Sequence, residues 1–168
     1  MFADGTDRMD FLDRLAKAAS KFGWSCRVFC LMTTHYHLLL DVPTNTLQPG
    51  MQRLNGEYAQ EFNRQHSRSD HLHGDRYNAT PVETERHLLA AFRYVVRNPV
   101  RAGLCASPAD WLWSSYRGTA GLDVGFPFVD DAPIRSYFTR DTEKALRLLR
   151  DFSELPLRGL SPMRSPGP

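Results

Sequence analysis

Ser25-Cys-Arg-Val-Phe-Cys-Leu-Met-Thr-Thr-His-Tyr-His-Leu-Leu-Leu-Asp-Val42 is the stretch on which the fold turns. It holds two strand-length runs, Ser25 to Met32 and His35 to Val42, with Thr33-Thr34 to turn the chain and Pro43 to end it. Residues two apart in a strand share a face, so His35, His37, Leu39 and Asp41 point one way and Tyr36, Leu38, Leu40 and Val42 the other. The second set is apolar and belongs in a core. The first opens with two imidazoles whose Cα atoms lie ~7 Å apart by the strand rise. From that base two rings can converge on one divalent ion at ~2.1 Å. The plain alternative is a polar pair on a solvated sheet face. A second pair of this kind, His71-Leu72-His73 in a polar loop, shows how readily the pattern arises.

Outward from the hairpin the periodicity becomes helical. Phe11, Leu12, Leu15, Ala19 and Phe22 mark a helix from about Asp7 to Phe22, with Gly23 placed to end it. Leu47, Met51, Leu54, Tyr58 and Phe62 form the stripe of a second, long helix. Gln65 to Asp75 is polar and reads as a loop, and Arg76 to Glu83 as a further strand. Thr84 caps a third helix whose buried face carries Leu88, Ala91, Phe92 and Val95, and Asn98-Pro99 is expected to interrupt it. Trp111 to Tyr116 is an aromatic cluster that packs back on the domain, and Asp141 to Phe152 reads as a last helix. The pattern is α+β, with helices on one face of a small antiparallel sheet. Residues 1–120 form the main domain, 121–155 a helical extension and 156–168 a disordered tail.

A chain of 168 residues, 42% hydrophobic and 11% aromatic, has the material for a core and is not a disordered polymer. A formal charge of +2 is too small to nominate nucleic acid as a partner by itself. Cys26, Cys30 and Cys105 lack zinc-knuckle spacing, and the first two lie in an apolar run where buried thiols are ordinary. No apolar segment approaches the ~20 residues of a membrane span. The acidic start carries no signal-peptide core, so the expected location is the cytoplasm.

On the third helix Tyr94 and Asn98 are four apart and share one side, on the shoulder of the apolar stripe. A phenol there sits at the rim of the core and can reach a cleft between helix and sheet, where Asn98 can offer its amide oxygen to an ion. Each residue also has a structural reading. A rim tyrosine packs its ring and wets its hydroxyl. Asn98 before Pro99 has the look of an N-cap followed by proline at the first helical position.

Three segments together carry a resemblance. Phe29-Cys-Leu-Met-Thr-Thr-His-Tyr-His-Leu-Leu-Leu40, Tyr94-Val-Val-Arg-Asn-Pro-Val-Arg-Ala-Gly-Leu104 and Trp111 to Arg117 resemble, in order and spacing, three blocks of the single-tyrosine (HUH, IS200-like) transposases. The likeness is to the REP-associated tyrosine transposases in particular, and it covers about Asp7 to Arg117. It implies a ferredoxin-like fold, here without its first strand, since only Met1 to Thr6 precede the first helix. It also implies cleavage of single-stranded DNA beside a hairpin. Tyr94 would be the nucleophile that forms a 5′-phosphotyrosine link, and His35, His37 and Asn98 would hold Mg²⁺ or Mn²⁺. Arg53, Arg76, Arg97 and Arg101 are candidates for DNA phosphates, and Tyr77 or Trp113 for base stacking. The expected partner is single-stranded or hairpin DNA, bound by a monomer or homodimer. Thr33-Thr34 stands where the family tends to have Pro-Asn, and His73 to Asn78 also departs from the family's run. Two other readings stay open: a relative that binds hairpin DNA without cutting it, and a protein whose histidines hold structural zinc.

Overall fold

The computed structural model describes residues 1–68, 72 and 77–155. Its first helix, α1 (Gly5–Phe22), begins two residues before the apolar periodicity does, because Asp4 caps it. The Asp4 side chain accepts from the Asp7 N–H at 3.0 Å, and the Asp7 carboxylate accepts from the Asp4 and Ala3 N–H groups at 3.2 and 2.7 Å. This reciprocal box satisfies N–H groups that the first helical turn leaves unpaired. Gly23 ends the helix in the left-handed region, φ 69°.

Two strands follow, β1 (Ser25–Leu31) and β2 (Tyr36–Asp41), paired antiparallel from Leu31↔Tyr36 to Ser25↔Asp41. They end within a residue of where the sequence places them. The turn between them closes on a bond from the Met32 N–H to the His35 carbonyl at 2.8 Å. Arg27 is the extra residue of a bulge between Cys26 and Val28. The guanidinium it carries forms ion pairs with Asp41 and Asp130.

The hairpin separates two cores. Cys26, Phe29 and Leu31, with Tyr36, Leu38 and Leu40, pack against α1 and against α2 (Leu47–Gln65), which supplies Met51, Leu54, Tyr58 and Phe62. Val28, Cys30, Met32 and Leu39 pack on the other side against Phe92, Val95 and Val96 of α3 (Glu85–Arg101). Helices therefore cover both faces of the hairpin, not one as expected. The reason lies in β1: residues 28 to 32 are apolar at every position, so both faces need cover.

The outer edge of β1 is closed from far along the chain. The Leu31 N–H donates to the Trp113 carbonyl at 2.8 Å, the Ser115 N–H to the Phe29 carbonyl at 3.1 Å and the Asp130 N–H to the Cys26 carbonyl at 2.8 Å. The aromatic cluster thus does pack back: Trp111 Nε1 donates to the Leu31 carbonyl at 2.9 Å, and Trp113 joins the α1 core. After it come a short helix α4 (Tyr116–Thr119), then α5 (Ala132–Phe138) and α6 (Thr142–Glu154), capped by Asp141. Ile134 and Leu149 of these last helices are fully buried in the α3 core.

Two expectations need correction. Residues 77–83 form no strand; they are exposed, Pro81 lacks an N–H, and no segment pairs with them among the described residues. The sheet is accordingly two-stranded among those residues. Nor does Asn98-Pro99 interrupt α3, which runs to Arg101 with Pro99 inside it. Proline two residues from a helix end costs a single backbone bond, and Pro99 is itself buried in the packing. The Ala102 N–H still bonds the Asn98 carbonyl at 2.9 Å, and past Gly103, at φ 70°, the Leu104 N–H reaches back to the Pro99 carbonyl at 2.9 Å and closes the helix. His71, His73, Arg76 and the tail 156–168 lie outside the described residues. Among those described, no helix is long and apolar enough to cross a membrane.

Candidate active site

β2 and α3 build the site between them. Strand alternation puts His37 on the α3 side of the hairpin with Leu39, and His35 precedes the strand by one residue. The two imidazoles converge: His35 Nε2 and His37 Nε2 are 3.1 Å apart, with the rings at 87°. That spacing suits one neutral N–H···N bond. It also suits a shared ion, since two nitrogens each ~2.1 Å from a metal and 3.1 Å from each other subtend about 95° there. Thr34 Oγ1 lies 3.2 Å from His35 Nδ1, on the ring's far side.

Burial sets the protonation state. It pushes His37 down to about 4, with the neighbouring His35 adding to the effect, and lowers His35 as well. Both rings are therefore neutral near pH 7, which is the form that offers a lone pair to a metal.

Tyr94 reaches this pair from α3. Its half-buried ring meets that of His37 with centroids 5.5 Å apart and planes at 87°. Asn98, one turn on, donates from Nδ2 to the Tyr94 carbonyl at 2.8 Å. It lies inside the helix and so caps nothing, and its Oδ1 accepts no hydrogen bond among the described residues. The Arg101 guanidinium lies over the Tyr94 ring, with Cζ 5.1 Å from the centroid.

Other candidates lie elsewhere. Arg97 donates from Nη1 to the carbonyls of Ser153, Glu154 and Leu155 at 2.7, 2.9 and 3.2 Å, so it holds the end of α6. Arg53 pairs with Glu57 at 2.8 Å on α2, across the hairpin from Tyr94. Trp113 is an anchor: Gly5 abuts its ring and the Arg8 guanidinium covers it at 5.3 Å. Arg76 lies outside the described residues. Tyr77, 36% exposed, lines a cleft of about 1140 Å³ that follows the whole of β2 and includes both histidines.

That cleft contains a residue the sequence reading missed. Asn55 of α2 lies in its lining and accepts the Tyr36 hydroxyl at 2.7 Å. The available signal was its place on α2 beside Leu54, facing the strand. Bonded there, and with its hydroxyl pushed up to about 12 by burial, Tyr36 is a support and no candidate nucleophile. Among the described residues no three of His, Cys, Asp or Glu gather around one point, so a closed zinc site would need ligands from outside them.

No curated protein and no solved structure matches the chain. A family model does, over residues 2–98, a span that takes in α1, the hairpin, the histidine pair, Tyr94 and Asn98. With more than half of its length matched, and with the histidine pair and Tyr94 inside the match, the chain belongs to the family described as IS200-like transposases.

Proposed function

We propose that this protein cleaves and rejoins single-stranded DNA beside hairpins through a 5′-phosphotyrosine link on Tyr94, as a REP-associated tyrosine transposase. The observation that carries the reading is the meeting of the converged imidazole pair with the Tyr94 ring, from two elements more than fifty residues apart in sequence. His35 and His37 would hold Mg²⁺ or Mn²⁺, with Asn98 Oδ1 and phosphate oxygens as oxygen ligands. When bound, such an ion neutralises phosphate charge and orients the group.

The chain's own residues supply the rest. The Tyr94 hydroxyl oxygen attacks the scissile phosphorus, its proton departs and the 3′ oxygen leaves as a hydroxyl. The new phosphodiester conserves the bond energy, so a later 3′-hydroxyl can attack phosphorus and release the phenol. His37 and Arg101 border the ring. Tyr77 on the cleft wall and Arg76 are candidates for DNA contact, in a monomer or a homodimer. A ferredoxin-like ancestry accounts for the order of α1, β1, β2, α2 and α3.

The test is a labelled hairpin oligonucleotide incubated with the purified chain and Mn²⁺. A covalent adduct that is lost in Tyr94→Phe supports the proposal. Salt-sensitive hairpin binding with no adduct in the wild-type chain would instead make it a DNA-binding relative that does not cut.

A further inference from the structure

The ring of Tyr94 has a neighbour that the family match does not reach. Tyr94, Asn98 and Arg101 stand at i, i+4 and i+7 on α3, so they stack along one side of the helix. The Arg101 guanidinium lies over the phenol face while the imidazole of His37 stands perpendicular to the same ring. Asn98 ties the turn between them to the Tyr94 carbonyl.

Arg101 differs from Arg97 and Arg53. Arg97 is spent on the end of α6 and Arg53 on Glu57. Arg101 has no carboxylate within ion-pair distance among the described residues. As the last residue of α3 it also sits where the helix's terminal carbonyls favour a cation. Its charge is thus held at the helix end, over the ring of the tyrosine.

We propose that Arg101 is a positioning residue for Tyr94, stacked on the phenol so that the ring is confined between guanidinium and imidazole. It acts through the tyrosine and not as a clamp on the DNA backbone. The inference rests on Tyr94 being the nucleophile. A stacked arginine restricts the swing of the ring and so fixes the line along which the hydroxyl meets a phosphorus atom. Lysine cannot replace it, because an ammonium is a point charge with no plane to lay on a ring.

The experiment uses the full chain as wild type, Arg101→Lys and Arg101→Ala, with a labelled hairpin oligonucleotide and Mn²⁺. Two quantities are read: the single-turnover rate of adduct formation, and hairpin affinity in a Tyr94→Phe background. Both variants are expected to form adduct about tenfold more slowly, with affinity changed less than about twofold. A rate restored by lysine, a rate unchanged in alanine, or a loss of affinity that matches the loss of rate each overturns the proposal. The last outcome would make Arg101 a phosphate contact.

A second arm needs neither DNA nor metal. In ring-labelled tyrosine NMR spectra, the signal missing from Tyr94→Phe should move in both Arg101 variants; a signal that stays in place overturns the contact. Wild-type protein that forms no adduct overturns the nicking reading itself and this role with it. A normal wild-type adduct with indifferent Arg101 variants overturns only the positioning role of Arg101.

Discussion

The two edges of the hairpin are treated differently. The outer edge of β1 is closed by backbone from Trp113 to Ser115 and from Asp130, and every β1 residue from Val28 to Leu31 is fully buried. The outer edge of β2 makes no backbone bond to any other segment among the described residues, and a cleft follows its length. Only Leu39 of β2 is buried. Unpaired strand edges are liabilities in a folded chain, so a closed edge on one side makes the open one informative. His37 stands on the strand with the open edge, and His35 just before it. On the proposed function the hairpin divides into a stabilising strand and a working strand, and substitutions on the two should fail in different ways.

The largest effect is expected on the closed side. Phe29 is fully buried, meets Phe126 edge-to-face at 4.9 Å and stacks on Phe128 at 5.9 Å, which joins β1 to the segment past residue 120. Phe29→Ala should lower unfolding free energy by about 3–5 kcal/mol in a urea titration. Mn²⁺ affinity of the fraction that remains folded should be unchanged. A folded variant with weakened metal binding would undo the division of labour.

His37→Ala should do the reverse. Loss of a supporting partner beyond the ligand shell already costs about 10–100-fold in many metal sites, so loss of the imidazole itself should weaken Mn²⁺ binding by at least about 100-fold. The melting temperature should stay within a few degrees, because His37 is only half-buried. The same residue sets a pH signature. Its folded-state value of about 4 lies below the 6.5 of an unhindered imidazole, so the unfolded chain binds more protons between those limits. Stability in the absence of metal is complete above about 6.5 and falls as pH drops toward 4. In His37→Ala that decline should be shallower. An identical decline in both proteins would show that the ring is not held neutral by burial.

Elements with strong local periodicity were legible in the sequence. α1, the hairpin, α2 and the start of α3 lie within two residues of their apolar patterns, since each buries a face that repeats every two or 3.6 residues. The site was legible only when three distant segments were taken together. No local pattern says that Tyr94 meets His37; that contact is made by the packing of α3 on Val28 and Leu39. Where reading failed, distant contacts or context overrode a local rule. Residues 77–83 read as part of a strand but have no partner among the described residues. Pro99 breaks helices in general, yet the end of α3 tolerates it. Arg97 looked free because the carbonyls it holds lie 56 to 58 residues away.

A smaller effect lies outside the hairpin, at the start of α1. Asp7 is 2% exposed and accepts from Ala3, Asp4 and, at 2.8 Å, from His66 Nε2 at the end of α2. Burial alone would raise its carboxyl, but these hydrogen bonds outweigh it and hold the group below the usual range. Hydrogen bonds to a charged group suggest a loss of about 2 kcal/mol in Asp7→Asn, read by urea unfolding at about pH 7. Because the folded value is depressed, the difference between wild type and variant should be complete above the unfolded carboxylate value near about 4 and shrink as pH falls through the folded one. A gap that persists into strong acid would point to packing as its source. Neither version should change Mn²⁺ affinity, since Asp7 belongs to the α1 side of the hairpin.

The smallest effect discriminates most finely, because it concerns the helix that carries the tyrosine. Arg97 and Arg93 both donate to carbonyls at the end of α6, and the Arg93 guanidinium also lies 5.1 Å from the centre of the Phe152 ring. Cations at a helix C-terminus stabilise it by a few tenths to about 1 kcal/mol. Arg97→Met keeps the aliphatic stem and should cost about 1 kcal/mol in unfolding free energy. If Arg97 serves only α6, hairpin DNA should bind the variant with the salt dependence of the wild type. If it contacts a phosphate, the slope of log affinity against log salt should shrink by about one unit. The geometry favours the first result, for three carbonyls at the end of α6 hold Arg97 Nη1 and fix the guanidinium there. That would place the back of α3 with the stabilising strand, and the side bearing Tyr94, Asn98 and Arg101 with the working one.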